Sequence, residues 1–337
     1  MPSAIGRVNC NGGVLRERTN TGYSDYNGLQ MEFRANSLFN QLTMKTSYTW
    51  SKSTDNTSEI FGSFAGSNTV AFSQDPLNNT TAEHGISGQD FPNTWTLSFN
   101  EEIPVFKSQH GIVGHAFGGW SVQGTYILQS GQAYTPVEAF SGYALSPYDS
   151  TDAFHFLAAF NSGLDTSRPF VSNTSAPVAA IGVYAADACG LFGNAAVCAA
   201  PANALYDYTA LNASGGATAN VVTPKQEHFI LNAFEAQTIY GTPYGDAARN
   251  SLRDFKTNTA NLQLAKTSNW GERVRIVWHM SMVNAFNRAN YASIDPFLED
   301  AGLVGLGTGF ANPYVQNSAP GNGSSNRLIR FGLKVSF

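Results

Sequence analysis

The chain has 337 residues and a formal net charge of −5; only 13% of its residues are Asp, Glu, Lys or Arg, while 12% are aromatic. A soluble domain averages about 25% charge, so this composition points to a sticky adhesive surface or a lipid-facing one, and 19 Lys plus Arg against 24 Asp plus Glu excludes a basic nucleic-acid face. The longest nearly apolar run, Val178 to Ala186, is far below the ~18 residues of a membrane-spanning helix, which leaves a closed barrel as the one way across a bilayer, and a mean hydropathy of −0.18 suits strands with one polar face.

In chain order, the opening MPSAIGRVNCNGG shows no charged start followed by an apolar stretch, so it reads as no secretory leader. Residues 1–22 are expected to be irregular, and residues 23–337 to form part of an outer-membrane barrel. Alternation with period two then marks seven strands. Tyr26 to Ala35 sets Leu29, Met31, Phe33 and Ala35 against Gly28, Gln30, Glu32 and Arg34. Leu42 to Trp50, Thr94 to Ile103 and Trp120 to Leu128 alternate in the same way, and Asn258 to Lys266 does so more weakly. Arg273 to Phe286 sets Val274, Ile276, Trp278, Met280 and Met282 against Arg275, His279 and Ser281. Asn326 to Phe337 closes the series, and most of these runs approach the ~9–11 residues of a tilted membrane strand.

The connections alternate as well. They run short (Asn36 to Gln41), long (Ser51 to Asn93), moderate (Pro104 to Gly119), very long (Gln129 to Thr257), short (Thr267 to Glu272) and long (Asn287 to Ser325). Bacterial barrels pair short periplasmic turns with long outer loops in this order, which puts the chain end on the periplasmic side. Seven is odd, whereas antiparallel closure wants an even number. An eighth strand would have to come from residues 1–22 or from the long loop. The expected fold is therefore all-β: an antiparallel transmembrane β-barrel, partial at about seven to eight strands of a larger one, with long outer loops.

Few residues invite chemistry. Cys189 and Cys198 flank a short stretch and suit a disulfide in an oxidising compartment, with two free thiols as the alternative and no zinc spacing nearby. Trp50, Trp95, Trp120, Trp270 and Trp278 lie in or near strand ends, where a barrel carries interfacial aromatics, Trp270 in a periplasmic turn. The six His show no metal spacing and no HExxH. Glu83 and His84 would diverge on a strand, as would Glu101 and Glu102. No GxSxG elbow occurs, so no catalytic residue, cofactor or metal is expected and the chain is read as no enzyme. Arg34, Lys45, Arg275, Arg330 and Lys334 alternate into the lumen, where hydration explains them as well as a solute path does. The RNSLR segment around Arg249 and Arg253 suggests no mechanism by itself.

The ending LIRFGLKVSF places Phe331, Leu333, Val335 and Phe337 on one face with an aromatic as the last residue. This resembles the signal that the Gram-negative barrel-assembly machinery reads. With YNGLQMEFRANSLFNQLTMKTSYTWSKSTDN, QDPLNNTTAEHGISGQDFPNTWTLSF, GGWSVQGTYILQSGQAYTP, YGDAARNSLR and ERVRIVWHMSMVNAFNRANY, most of residues 23–337 resembles the C-terminal barrel portion of Oar-like TonB-dependent receptors, whose longer members carry a carboxypeptidase-regulatory-like domain at the N-terminus. The resemblance implies the bacterial outer membrane and a large barrel of the ~22-stranded kind with a lumenal plug. It also implies outer-membrane lipid as a partner, and uptake of an unidentified small or oligomeric solute. The inner-membrane energy-coupling complex would act through a plug not read in these residues, so the chain is expected to be a portion of a larger receptor. An adhesin or structural barrel without transport is the alternative.

Overall fold

The computed structural model describes residues 20–38, 41–58, 83–138, 168–242, 245–271, 273–291, 296, 298 and 326–337. Residues 1–19 lie outside that set, and with them Cys10 and most of the segment expected to be irregular.

Every alternating run becomes a strand of one antiparallel sheet. In chain order these are β1 (Ser24–Leu38), β2 (Leu42–Asp55), the short β3 (Gly85–Ile86), β4 (Asn93–Glu102), β5 (Trp120–Gln129), and, much later, β12 (Thr257–Trp270), β13 (Val274–Val283) and β14 (Leu328–Ser336). The order across the sheet is β1-β2-β4-β5-β12-β13-β14, with β3 pairing the outer end of β2. Sequence neighbours are therefore spatial neighbours throughout, as in an up-and-down barrel. The sheet is not closed: β1 and β14 form its two edges among the described residues.

Register settles which residues share a face. Trp120, Lys266, Trp278 and Leu333 form one row across β5, β12, β13 and β14, and Gln123, Gln263, Ser281 and Arg330 form a row on the opposite face. The apolar row set is left open to its surroundings, with Leu29, Met31, Phe33, Phe331 and Leu333 all more than half exposed. A soluble protein would bury such a stripe; a bilayer covers it. Two glycines on the other face are masked by neighbours, since a Cβ on Gly28 would meet the Tyr26 side chain and one on Gly332 the His279 ring. An aromatic laid over a strand glycine restores the packing that glycine lacks.

The strands differ from the expected runs at their ends. β12 continues to Trp270, so this residue ends a strand instead of sitting in a turn. The extension has a partner: Gln109 donates to the Thr267 carbonyl at 2.8 Å and accepts from the Asn269 amide at 3.0 Å, completing backbone bonds that β5 no longer supplies. β13 stops at Val283, short of Phe286, because Asn284 turns the chain with φ 50. The moderate connection holds a helix, α1 (Gly111–Phe117), which lies against the periplasmic end of the apolar face. There His115 stacks on Trp270 at 4.8 Å, and Trp120 donates to the Ala116 carbonyl at 3.3 Å.

The very long connection departs most from expectation. It holds a separate α/β unit: β7 (Phe170–Val171), β8 (Ile181–Tyr184), α2 (Ala185–Phe192), α3 (Ala195–Cys198), β9 (Leu205–Asp207), α4 (Tyr208–Ala213), β10 (Phe229–Ile230) and α5 (Phe234–Tyr240). Its sheet runs β7-β10-β8-β9, with β10 and β8 parallel. Two further short strands, β6 (Ala133–Tyr134) and β11 (Leu252–Arg253), pair to form its stem. No eighth barrel strand occurs in the described part of this connection. The run from Val178 to Ala186 is the centre of the unit, where Ile181, Val183 and Ala185 are buried with Val197, Leu211 and Phe229. A strand buried on both faces reads as a continuous apolar run, which is why alternation misses it.

Candidate functional site

The α/β unit emerges from the ends of β5 and β12 on the side of the long connections, the side expected to face outward. Two of its helices are capped from local sequence: Asn194 accepts from the Ala196 and Val197 amides at the start of α3, and Asp207 accepts from the Ala210 amide at the start of α4. The structure joins Cys189 within α2 to Cys198 at the end of α3 as a disulfide, with nine residues of sequence separation. That bridge ties two short helices that have too few turns to persist alone.

Two carboxyls inside the unit are shifted upward. Burial pushes Asp187 to about 7, against the hydrogen bonds it accepts at the start of α5, among them one from the Glu235 amide at 3.1 Å. Burial also pushes Glu227 to about 7, with the charge of Asp207 adding to it. Its Oε2 atom is buried without a hydrogen-bond partner among the described residues, as suits a protonated group. Both carboxyls keep a proton in the folded unit at pH values where the unfolded chain has lost it. The stability they lend is therefore present at low pH and is lost as pH rises through about 7. The unit is expected to resist protease better at pH 5 than at pH 8, measured on the intact protein. Asp187→Asn, which keeps the acceptor for the Glu235 amide, is expected to flatten that difference.

Three arginines clasp the unit and its stem to the rim of the barrel. Arg249 pairs with Asp55, the last residue of β2, and also donates to the Glu83 carbonyl at 2.9 Å and to Ser58 Oγ at 2.8 Å. Arg168, just before β7, pairs with Glu83, and both side chains are almost fully buried. Arg253 on β11 pairs with Asp90, whose other oxygen accepts from the Ser53 amide on β2 at 2.6 Å. Asn250, in the left-handed region at φ 54, completes the joint by donating to the Ile86 carbonyl at 2.8 Å and accepting from Thr135. Desolvating a guanidinium and a carboxylate together is tolerable only with good geometry and further hydrogen bonds; Arg249 and Arg253 make several, whereas Arg168 adds a donation to the Ala247 carbonyl at 3.4 Å and keeps its Nε buried without a partner among the described residues. The result is one fixed orientation of the outer unit on β2 and its following loop.

The residues singled out by sequence scatter around this joint. Trp50 and Trp95 lie toward the outer ends of β2 and β4, and Trp120, Trp270 and Trp278 toward the periplasmic ends of theirs. From Trp120 to Leu128, the register partner of Trp95, the eight steps of β5 span about 26 Å, close to the ~25 Å apolar band of such barrels. Lys266 reaches from the apolar face to the Gly118 carbonyl at 2.7 Å, with its ammonium 5.0 Å from the Trp120 ring centre. This is how a lysine near an interface keeps its charge out of lipid. Phe331, Leu333, Val335 and Phe337 project from the edge strand on the apolar face, Phe337 fully exposed.

Glu83 and His84 precede β3 instead of lying on a strand; Glu83 pairs with Arg168, and the His84 ring stacks on Tyr23 at 5.5 Å. Glu101 and Glu102 are exposed at the end of β4. Among the described residues no group of three or more His, Cys, Asp and Glu could hold a metal. Sequence reasoning missed the arginine clasp except as the unexplained RNSLR segment, because its acids lie 85, 194 and 163 residues away from their arginines.

A family model described as an outer membrane beta barrel domain matches residues 6–316. No curated protein and no solved structure matches the chain. The match extends over the barrel strands from β1 to β13 and over the clasped outer unit alike, so the chain belongs to the outer membrane beta barrel domain family and is a protein of the bacterial outer membrane.

Proposed function

We propose that this protein is a receptor-transporter of the TonB-dependent, Oar-like kind, whose barrel takes up a solute that the outer α/β unit first meets. The observation that carries the reading is the clasp: a folded, disulfide-stapled unit is held rigidly at the barrel mouth by buried Arg–carboxylate pairs. Binding surfaces presented by long loops gain affinity when they are pre-ordered. The open sheet supports a larger barrel. Its edge strands, β1 and β14, both run from the outer side to the periplasm, and an edge in lipid must be paired. Antiparallel closure then takes an odd number of further strands, as a ~22-stranded barrel around a plug would supply. Energy coupling would reach the solute through that plug.

An adhesin without transport is the second reading, since a folded outer unit serves attachment equally well. Deleting the gene is expected to abolish energy-dependent uptake of the solute on which the strain then fails to grow, with a protonophore reproducing the loss in the parent strain. Normal uptake with lost surface attachment would establish the adhesin instead.

A further inference from the structure

The bilayer-facing surface has a hollow. Register puts Phe99, Gly124 and Leu262 in one row across β4, β5 and β12, and Leu97, Tyr126 and Ala260 in the next row outward. Phe99 and Leu262 lean together over Gly124 and wall off that row, and the small side chain of Ala260 in the next row leaves the space beside them open. The hollow has a volume of about 450 Å³, and its lining includes Trp95 and Arg288 at the strand ends next to the long connections. Ala260 and Leu262 lie in the middle of the sheet, away from both edges, so closing the barrel does not cover the hollow.

Its outer end is cationic. Past β13 the Ala285 amide donates to the Ala260 carbonyl at 2.7 Å and folds the chain back over β12. Asn284 then grips Arg288 twice, accepting from its amide at 3.0 Å and donating to its carbonyl at 2.8 Å. This sets Phe286 and Arg288 on the rim of the hollow. Arg327 is tied to the same turn through its amide, which donates to Asn287 Oδ1 at 2.9 Å. Both arginines are exposed, and neither forms an ion pair among the described residues. Three other arginines of the outer side, Arg168, Arg249 and Arg253, are all paired with carboxylates. Two guanidiniums with no ion pair among the described residues, that of Arg327 also donating to the Ala285 carbonyl at 3.4 Å, stand beside an apolar hollow and match a lipid that carries phosphate above an acyl chain, because the planar guanidinium binds phosphate through two parallel hydrogen bonds.

We propose that the hollow between β4, β5 and β12 seats one acyl chain of a phosphorylated glycolipid of the outer leaflet, with its phosphate held by Arg288 and Arg327. The outer leaflet is the source because the hollow lies on the bilayer-facing side and its lining includes Trp95, Asn258 and Arg288, at the strand ends next to the long connections. The proposal rests on the outer-membrane assignment and is independent of whether the barrel transports anything.

The test uses the full protein extracted from outer membranes in mild detergent, stripped of lipid, and titrated by native mass spectrometry. The probes are diphosphorylated lipid A, the same lipid without phosphate, and phosphatidylglycerol. Lipid A is expected to bind at least tenfold more tightly than either of the others. Ala260→Trp, which fills the hollow, and the double variant Arg288→Glu/Arg327→Glu are each expected to lower lipid A affinity at least tenfold while folding normally, read as heat-modifiable migration. Equal binding of lipid A and phosphatidylglycerol, or lipid A binding unchanged in both folded variants, would overturn the proposal. The lipid comparison uses the unaltered protein, so a variant that misfolds does not remove the test.

Discussion

Arg249→Ala is expected to loosen the outer unit from the barrel by about 3–5 kcal/mol, the usual consequence of removing one partner of a buried ion pair. The variant strands Asp55, which is 4% exposed, without its cation, and leaves the Glu83 carbonyl without the Arg249 donor. Protease cleavage on intact cells reads the effect. Where opening is fast relative to cleavage, the rate follows the open population. It should rise roughly a hundredfold to a few thousandfold, at tenfold per 1.4 kcal/mol. Two controls set the scale. Lys225→Ala changes an exposed residue of the same unit and should stay within about 0.5 kcal/mol. Arg249→Met combined with Asp55→Asn should cost less than Arg249→Ala alone, because no charge is then left buried unpaired. Cleavage of Arg249→Ala at the parent rate would show that the clasp carries no load.

Phe229→Ala is expected to be comparably severe, at about 3–5 kcal/mol, the range for deleting a fully buried aromatic side chain. Phe229 is 1% exposed and lies on β10, which pairs β7 on one side and β8 on the other. Removing the disulfide through Cys189→Ser and Cys198→Ser should cost less, about 2–3 kcal/mol, because the bridge closes only a short loop. The ranking matters more than either figure. It says that the outer unit is held by its own core, with the bridge as a supplement. If the double Cys variant proves the more cleavable of the two, the unit depends on its staple.

These two variants fall on opposite sides of what could be read in advance. The disulfide partners stand nine positions apart, so their pairing is a local matter that spacing suggests. Arg249 finds Asp55 across 194 positions, and nothing near RNSLR names that carboxylate. The outer unit was hidden for another reason. Alternation reports a strand with one wet face and one apolar face, and the strands of this unit are buried on both. Its helices are short, and their caps at Asn194 and Asp207 look like ordinary loop residues until the helix behind them is seen.

By itself the sequence determined the barrel face. In a bilayer each strand must put apolar side chains outward and polar ones inward, so a period of two states the orientation of the residues within the seven alternating strands, and the alternation of short and long connections states the direction of each strand. Only the tertiary structure decided what stands above the barrel and how it is fixed there. Burial on both faces erases periodicity, and a buried charge pair joins residues through space whose separation along the chain carries no trace of their contact.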